Sequence, residues 1–426
     1  MTPVLRRLLL FRLVDGLSVL PEYIDNGDCS WVCEYCGAFF WYVERTPNMS
    51  TVAHPRYNHC CRGGSIVLLY PSRFSSQFIR LYESRKFLND VRAYNSMFSV
   101  TSFGANVDDD VNDSRGPYVF KVSGQISDKI GSLSADPAKG PRFLQLYLFD
   151  TDNEVENRLR AFDGPRPPTL DSTVIDYLSR FLAESNEYDR RYDLPLPGSL
   201  GCIVTSDDTT STTYDIIIHS QQCHPQRISK LHPSYMPLQY SLLFPSGEEG
   251  WSPRLKLGNR RGANAQNLTV NMYYAYHVHA RQHIWSPIIN SSRLFQQYLV
   301  KAYTCIEESR LDYIVRHQSN LRSDYVSGLY DALSKGDRDV GSIGKQVFLP
   351  ASFTGGPRFM YSHYLDALSI CRVYGNPQYF ITFTCNVKWP EITRYMETHH
   401  QIDTHSRVDI ISRVFNIKVR EYNPVS

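Results

Sequence analysis

Apolar side chains recur at three- and four-residue intervals in several parts of the chain, and this spacing predicts amphipathic helices. The stretch from Ser75 to Asn95 is one example, with Phe78, Tyr82 and Val91 on one face. Runs of β-branched and aromatic residues between such stretches are typical of strands. Further helices are predicted to start near residue 154 and to cover 171–186, 293–304, 307–318 and 406–419, and strands to cover 142–149 and 214–219.

The helix predicted over 406–419 has an apolar and a basic face. Because charged side chains are rarely buried without a partner, we expect its cations to face solvent. The expected buried residues are Val408, Ile411, Val414 and Phe415, and the expected exposed residues are Arg407, Arg413, Lys418 and Arg420.

The stretch 345–392 combines four predicted elements in quick succession. A strand at 346–349 leads into the turn 354–357, where two glycines allow positive φ and a proline follows. A helix with apolar residues at helical spacing comes next, and the β-branched and aromatic run 379–384 predicts a central strand. Asn386 can cap a last helix. The pattern favours a buried β-α-β-α core. The apolar residues of the middle helix are Met360, Tyr364, Leu365, Leu368 and Cys371.

Composition indicates a globular protein. Of 426 residues, 42% are hydrophobic and 21% are charged. Residues 1–250 carry 24 Lys/Arg against 30 Asp/Glu, a net charge of −6, whereas residues 251–426 carry 21 against 13, a net charge of +8. The basic half suits a polyanionic partner. Because the apolar runs are short and arginines interrupt the N-terminal one, we expect neither a membrane span nor a signal peptide.

Cysteines and histidines are concentrated between residues 29 and 61. Cys33 and Cys36 have the two-residue separation of a metal knuckle, and Cys60 with Cys61 would complete a tetrahedral structural zinc site. Adjacent side chains on a strand diverge, so His59 with Cys61, or Cys60 with a histidine, is an alternative second pair. The other alternative is a set of half-buried thiols without metal. The chain has no His-Glu-x-x-His pattern, so a catalytic zinc is not expected.

Two further motifs resemble active-site sequences without meeting their requirements. His277 and His279 flank a valine, but their surroundings predict a helix, on which residues two apart point about 200° apart and cannot chelate one ion. His279 with His283 is the better-spaced pair, yet the sequence offers no third ligand. Gly344-Lys345 lacks the first glycine and the Ser/Thr of a phosphate loop, so no ATP site is expected.

Several segments resemble the N-terminal and replication-initiator regions of eukaryotic Helitron transposases, the rolling-circle DNA transposons. They are CEYCGAFFW with a later CC, QLYLFDTDNEVENR, LPASFTGGPRFM, DALSICRVYGNPQYF and FITFTCNVKWPEI. In that family the strand equivalent to 380–384 is the first motif of a single-strand DNA nuclease. A metal-binding His-hydrophobe-His pair and nucleophilic tyrosines follow it. The resemblance implies that this chain, which shows neither after residue 384, is truncated before them and before the helicase.

Together, the patterns and the resemblance predict an α+β protein. It would have a cysteine-rich N-terminal module that could bind zinc (1–70), a mixed α/β region (71–195), a linker (196–213) and a helicase-like region (214–426). The last region would contain a partial replication-initiator-like sheet with helices.

The resemblance implies a protein related to rolling-circle transposition that binds single-stranded DNA and is catalytically incomplete, located in the nucleus or otherwise in the cytoplasm. Arg358, Lys388 and Trp389 are the candidate nucleic-acid-binding residues, because Arg358 lies in the Gly-rich turn and the other two lie just past the motif strand. The full-length Helitron protein is a further expected partner. The alternatives are a nuclease subunit completed by another chain and a zinc-knuckle scaffold for protein interactions.

Overall fold

The computed structural model describes residues 23–68, 70, 74–108, 110–112, 118–129, 154–160, 170–185, 216–218, 226–258, 266–318, 347, 349–377, 382–399 and 406–422. These residues form helices and short two-stranded sheets, so the predicted α+β class is confirmed. Within those ranges, no helix is both long and apolar enough to cross a membrane. The predicted strand at 142–149 and the predicted linker at 196–213 lie outside the described residues.

The helices and strands are numbered here in chain order. The helices are α1 (Ser76–Leu81), α2 (Arg85–Phe98), α3 (Glu154–Arg160), α4 (Ser172–Ser185), α5 (Tyr235–Gln239), α6 (Val270–His277), α7 (Pro287–Asn290), α8 (Arg293–Arg316), α9 (Pro357–Tyr374), α10 (Pro390–Thr398) and α11 (Val408–Tyr422). The strands are β1 (Trp31–Val32), β2 (Phe39–Phe40), β3 (Ser102–Val107), β4 (Val122–Lys129), β5 (Ile216–Ile218) and β6 (Gln226–Ile228). Strands pair antiparallel as β1–β2, β3–β4 and β5–β6.

The chain divides into two compact units. The larger one comprises Ile24–Cys305 and Cys385–Ser426, and the smaller one includes Ile306–Thr384. The larger unit therefore contains both the cysteine-rich segment and the last two helices, although more than 300 residues separate them in sequence.

Local capping explains why the helix predicted over 75–95 is two helices. The Ser75 hydroxyl accepts a hydrogen bond from the Phe78 backbone N–H and starts α1, and the Ser84 hydroxyl accepts one from Phe87 and starts α2. The second cap interrupts the helix and redirects the chain. Conversely, the pair predicted over 293–304 and 307–318 is the single helix α8, since the apolar Cys305 and Ile306 between them continue it.

A buried cluster joins the N-terminal segment to the last two helices, and we call it the terminal core. Its centre is Trp41, which is fully buried and donates from Nε1 to the Gly27 carbonyl over 3.2 Å. Aromatic side chains of this size bury a large apolar area while still needing a partner for the N–H. The buried members are Cys29, Trp41, Ile392, Tyr395, Met396, Ile410, Val414 and Ile417.

The prediction that the cations of the helix expected over 406–419 face solvent is wrong for three of the four. Arg407 and Lys418 are buried and Arg413 is half-buried, whereas Arg420 is exposed as expected. Each of the three lies against a carboxylate: Arg407 with Asp409 at 2.8 Å, Arg413 with Glu44 at 2.5 Å, and Lys418 with Glu391 at 2.8 Å. Pairing offsets the desolvation cost that would otherwise keep these cations at the surface.

The prediction that α9 is buried is also wrong. None of its residues is buried, and Met360, Tyr364, Leu365 and Leu368 are all exposed. In the described part of the smaller unit, no strand covers this helix, because Val347, Leu349 and residues 382–384 form none. The rest of both predicted strands lies outside the described residues.

The Lys418–Glu391 pair yields a stability prediction. Replacing Lys418 by Met leaves the Glu391 carboxylate, only 1% exposed, without its ammonium partner. We expect the free energy of unfolding to fall by about 3–5 kcal/mol, the usual cost of breaking a buried pair from one side. Denaturant titration measures it. Arg420→Met on the exposed side of the same helix is the control and should change stability by less than about 0.5 kcal/mol; equal effects of the two variants would contradict the role of the pair.

Candidate metal centre

The first pair of cysteines lies in the turn between β1 and β2. The Cys33 N–H donates to the Ala38 carbonyl and the Gly37 N–H donates to the Cys33 carbonyl, both over 2.9 Å. These bonds close a tight turn that places the Cys36 thiol beside that of Cys33. Gly37 has a φ of 71°, a conformation that favours glycine. The sequence C-x-x-C-G therefore specifies the turn locally.

The second pair lies in a turn rather than on a strand. The Arg62 N–H donates to the Asn58 carbonyl over 2.9 Å, and Arg62, Gly63 and Gly64 all have positive φ. This turn aims the adjacent thiols of Cys60 and Cys61 to the same side. Divergence on a strand, the reason for seeking a histidine ligand, therefore does not apply.

The four sulfurs have the spacing of a tetrahedral metal site. The Sγ atoms of Cys33, Cys36, Cys60 and Cys61 all lie within 4.8 Å of one another. The Sγ atoms of Cys33 and Cys61 are 3.7 Å apart, and those of Cys60 and Cys61 are 3.8 Å apart. A tetrahedron of sulfurs at about 2.3 Å from a central ion has edges of about 3.8 Å. The donor set therefore fits an ion.

Hydrogen bonds among the four thiols shift their pKa values in opposite directions. Hydrogen bonds from Cys36, Cys60 and Cys61 lower the pKa of the Cys33 thiol, and the same network raises that of Cys60. The pKa of Cys36 is lowered to about 7: its bond with Cys33 raises it, while its bonds with Cys60 and Cys61 and the charge of Arg281 lower it. One cysteine thus gives up a proton readily within the cluster, and thiolate is the form that binds metal.

The other candidate ligands of this segment lie apart from the four sulfurs. His59 is exposed and packs on the Tyr57 ring, with centroids 5.6 Å apart. Cys29 belongs to the terminal core, where burial raises the pKa of its thiol to about 12. Among the described residues, the only group of three or more metal-ligating side chains is formed by the four cysteines. The structure therefore brings together the four cysteines, and the alternative ligand pairs that include His59 are not formed.

The histidines at 277 and 279 do not form a chelating pair. His277 is the last residue of α6, as predicted, but His279 lies beyond the end of the helix, so the prediction that one helix carries both histidines is wrong. The two ring nitrogens of His279 are engaged separately: Nδ1 lies 2.7 Å from the Ala275 carbonyl, to which it must donate, and Nε2 lies 3.0 Å from the Tyr57 hydroxyl. His283, the other candidate partner of His279, is exposed and has a φ of 62°.

The candidate nucleic-acid-binding residues lie in different environments. Arg358 is half-buried in the first turn of α9, in the smaller unit. In the larger unit, Lys388 is exposed, while Trp389 precedes α10 and packs on the terminal core. Lys388 is thus the more accessible of these two.

Sequence reasoning missed two residues of this centre, Gly64 and Arg281. A Cβ at Gly64 would come within 2.8 Å of the Tyr35 ring, so only glycine lets the second turn approach the first. The doublet Gly63-Gly64 after the cysteines was a readable sign of that turn. Arg281 is 220 residues or more from every cysteine of the site, and no local pattern indicates its position.

The close approach at Gly64 yields a prediction for metal uptake. In Gly64→Ala, the added methyl group strikes the root of the Tyr35 side chain, so the two turns must separate. Overpacking of this kind costs about 1–3 kcal/mol, and we expect roughly tenfold weaker Co²⁺ binding, measured by its visible absorption.

Gly63→Ala is the matched control, because it carries the same positive-φ strain but meets only the Asn58 Oδ1 at 3.5 Å. Removing the ring in Gly64→Ala/Tyr35→Ala should restore binding to the level of Gly63→Ala. If the two single variants bind Co²⁺ equally, the close approach is not what limits the site.

The metal centre lies next to a segment with a recognisable family signature. The Gln282 N–H donates to the Gly37 carbonyl over 2.8 Å, so the first cysteine turn contacts the chain directly after α6. Residues 273–424 match the family model described as "Helitron helicase-like domain at N-terminus". No curated protein matches the chain. The Helitron resemblance is therefore confirmed over residues 273–424, which are similar to the Helitron helicase-like domain.

Proposed function

We propose that this protein takes part in rolling-circle DNA transposition, binding single-stranded DNA with a domain that zinc-bound cysteines stabilise. The match of residues 273–424 to the Helitron helicase-like domain is the observation that carries the proposal. The four-cysteine site supports the zinc assignment, and the paired and exposed cations of the larger unit determine how strongly DNA could bind.

Zinc is the ion that the four cysteines suit best. Thiolates are soft ligands, and a set of four with tetrahedral spacing is typical of structural zinc. Cys60 and Cys61 are fully buried and Cys33 nearly so. Four protein ligands leave no position for a reacting water, so the role supported is folding rather than catalysis.

This zinc assignment predicts the effect of removing one ligand. Purified, reduced protein should contain one zinc per chain by elemental analysis, and Cys36→Ser should lose most of it, because a serine hydroxyl is a far weaker ligand than a thiolate. Cys371→Ser is the control, since that half-buried cysteine of α9 lies outside the cluster. A wild-type protein without zinc would refute the assignment.

Ion pairing within the fold limits the charge available to DNA. Of the described cations that follow residue 384, Arg394 pairs with Asp25 and Asp28, and Arg407, Arg413 and Lys418 pair as described above. Lys388 and Arg420 are exposed. Binding through so few phosphate contacts would be weak and steeply dependent on salt.

The proposal includes binding without cleavage by residues 1–426 alone. In the sequence, no His-hydrophobe-His pair follows the motif strand, and both ring nitrogens of His279 are engaged. Burial raises the pKa of several tyrosines, among them Tyr57 and Tyr273, which makes them poorer nucleophiles at neutral pH. A nuclease subunit completed by another chain stays an alternative that the same experiment addresses.

The DNA-binding prediction is tested with a labelled single-stranded oligonucleotide. Anisotropy should show an affinity that falls steeply with added salt, and Lys388→Ala should weaken binding and reduce the slope of log K against log salt by about one. Lys86→Ala, an exposed lysine of the acidic half, should leave both unchanged.

Gel analysis with Mg²⁺ or Mn²⁺ should show intact oligonucleotide. A covalent tyrosine–DNA adduct would refute the absence of cleavage. Undetectable binding by protein that retains zinc would refute the DNA role and favour the interaction scaffold.

A further inference from the structure

Arg281 is a buried cation with an incomplete set of partners. It is 5% exposed, its Nη1 donates to the Tyr70 hydroxyl over 2.7 Å and to the His279 carbonyl over 3.0 Å, and its guanidinium lies 3.7 Å from the centroid of the Tyr276 ring. Its Nε and Nη2 are buried and donate to no oxygen, and the guanidinium lies within hydrogen-bonding reach of the Cys36 side chain. A buried guanidinium without a counter-charge is costly, so its position calls for an anion.

The backbone holds Arg281 against the first cysteine turn. The Phe39 N–H donates to the Ala280 carbonyl over 3.0 Å, and the Gln282 N–H donates to the Gly37 carbonyl over 2.8 Å. These two bonds flank an antiparallel bridge between Ala38 and Arg281. The guanidinium therefore starts from a residue paired with the turn that carries Cys36.

The metal-loaded cluster would supply the missing anion. Four thiolates around a Zn²⁺ ion carry a net charge of −2, and three of the four cysteines are buried. Among the described cations, the exposed Arg56 pairs with Glu34, and Arg413 pairs with Glu44. Arg281, by contrast, lies against the Cys36 side chain.

We infer that Arg281 is the charge partner of the four-cysteine metal site, with its Nε and Nη2 groups facing the Cys36 sulfur. Metal binding then stabilises two contacts at once: it closes the cysteine cluster, and it satisfies the guanidinium that ties the cluster to residues 280–282. This inference rests on the zinc site of the proposed function. It assigns to the helicase-like domain a residue that completes a site formed by the N-terminal segment.

Zinc affinity measured by competition with a chromophoric chelator tests the inference. Outer partners of metal ligands typically contribute 10- to 100-fold to affinity, so Arg281→Met should bind Zn²⁺ about 10- to 100-fold more weakly. Arg281→Lys keeps the charge and should recover most of the loss. Arg56→Met is the matched control, an arginine near the same cysteines whose partner is the exposed Glu34, and should stay within about twofold of wild type.

The possible outcomes distinguish a failure of the metal site from a failure of the role assigned to Arg281. Failure of the wild type to bind one zinc refutes the metal site itself. If the wild type binds and Arg281→Met binds equally well, or if Arg281→Lys loses as much as Arg281→Met, the charge role of Arg281 is refuted. The Co²⁺ spectrum should show four thiolate ligands in every variant, because Arg281 is not itself a ligand. If Arg281→Met does not fold, Arg281→Gln serves in its place with the same expected loss and the same refuting result.

Discussion

The fold of the larger unit depends on the contact between the N-terminal hairpin and the last helix. Arg413 donates from Nε to Glu44 over 2.9 Å and from Nη2 to the Phe39 carbonyl over 3.0 Å, and its guanidinium lies 4.9 Å from the centre of the Trp41 ring. One cation thus holds the end of the hairpin against the terminal core. Residues 24–45 lie outside the region matched by the family model, yet α10 and α11 bury their apolar faces against them. The helicase-like domain is completed by a segment that precedes it by more than 200 residues.

The charge asymmetry of the chain is partly explained by ion pairs between its two halves. The acidic first half provides Asp25, Asp28 and Glu44, and the basic second half provides Arg394 and Arg413, which pair with them. An exposed pair contributes at most about 1 kcal/mol, whereas breaking a buried one costs about 3–5 kcal/mol. The half-buried Arg413 pair therefore matters more to the fold than the exposed Arg394 pairs. Net charge alone, +8 after residue 250, overstates the surface offered to a polyanion.

Local signals in the sequence predicted what short-range physics determines. The two-residue spacing of Cys33 and Cys36 indicated a metal knuckle, and the structure contains that turn. The Ser84 cap between α1 and α2 is equally local, but the continuous apolar spacing over 75–95 concealed it. Burial of Arg407 and Lys418 could not be predicted, because amphipathic analysis assigns cations to the solvent face and cannot see a distant carboxylate. The burial of Arg281 beside the cysteine cluster could not be predicted for the same reason, because its neighbours are distant in sequence. The four cysteines were predicted together, and the histidine alternatives arose only because a strand was considered where glycines produce a turn.

The position of the metal centre suggests why a structural ion would be placed there. Hairpin β1–β2 has only two residues in each strand, too few to be stable alone, and its outer residues Trp31 and Val32 are exposed. The hairpin must therefore be stabilised by its contacts with the terminal core and with the cysteine cluster. Because a metal site of this kind contributes its binding free energy to folding, an ion here would stabilise the hairpin that covers α10 and α11. The ion would then support the helicase-like domain without contacting any residue of the DNA-binding surface proposed for it.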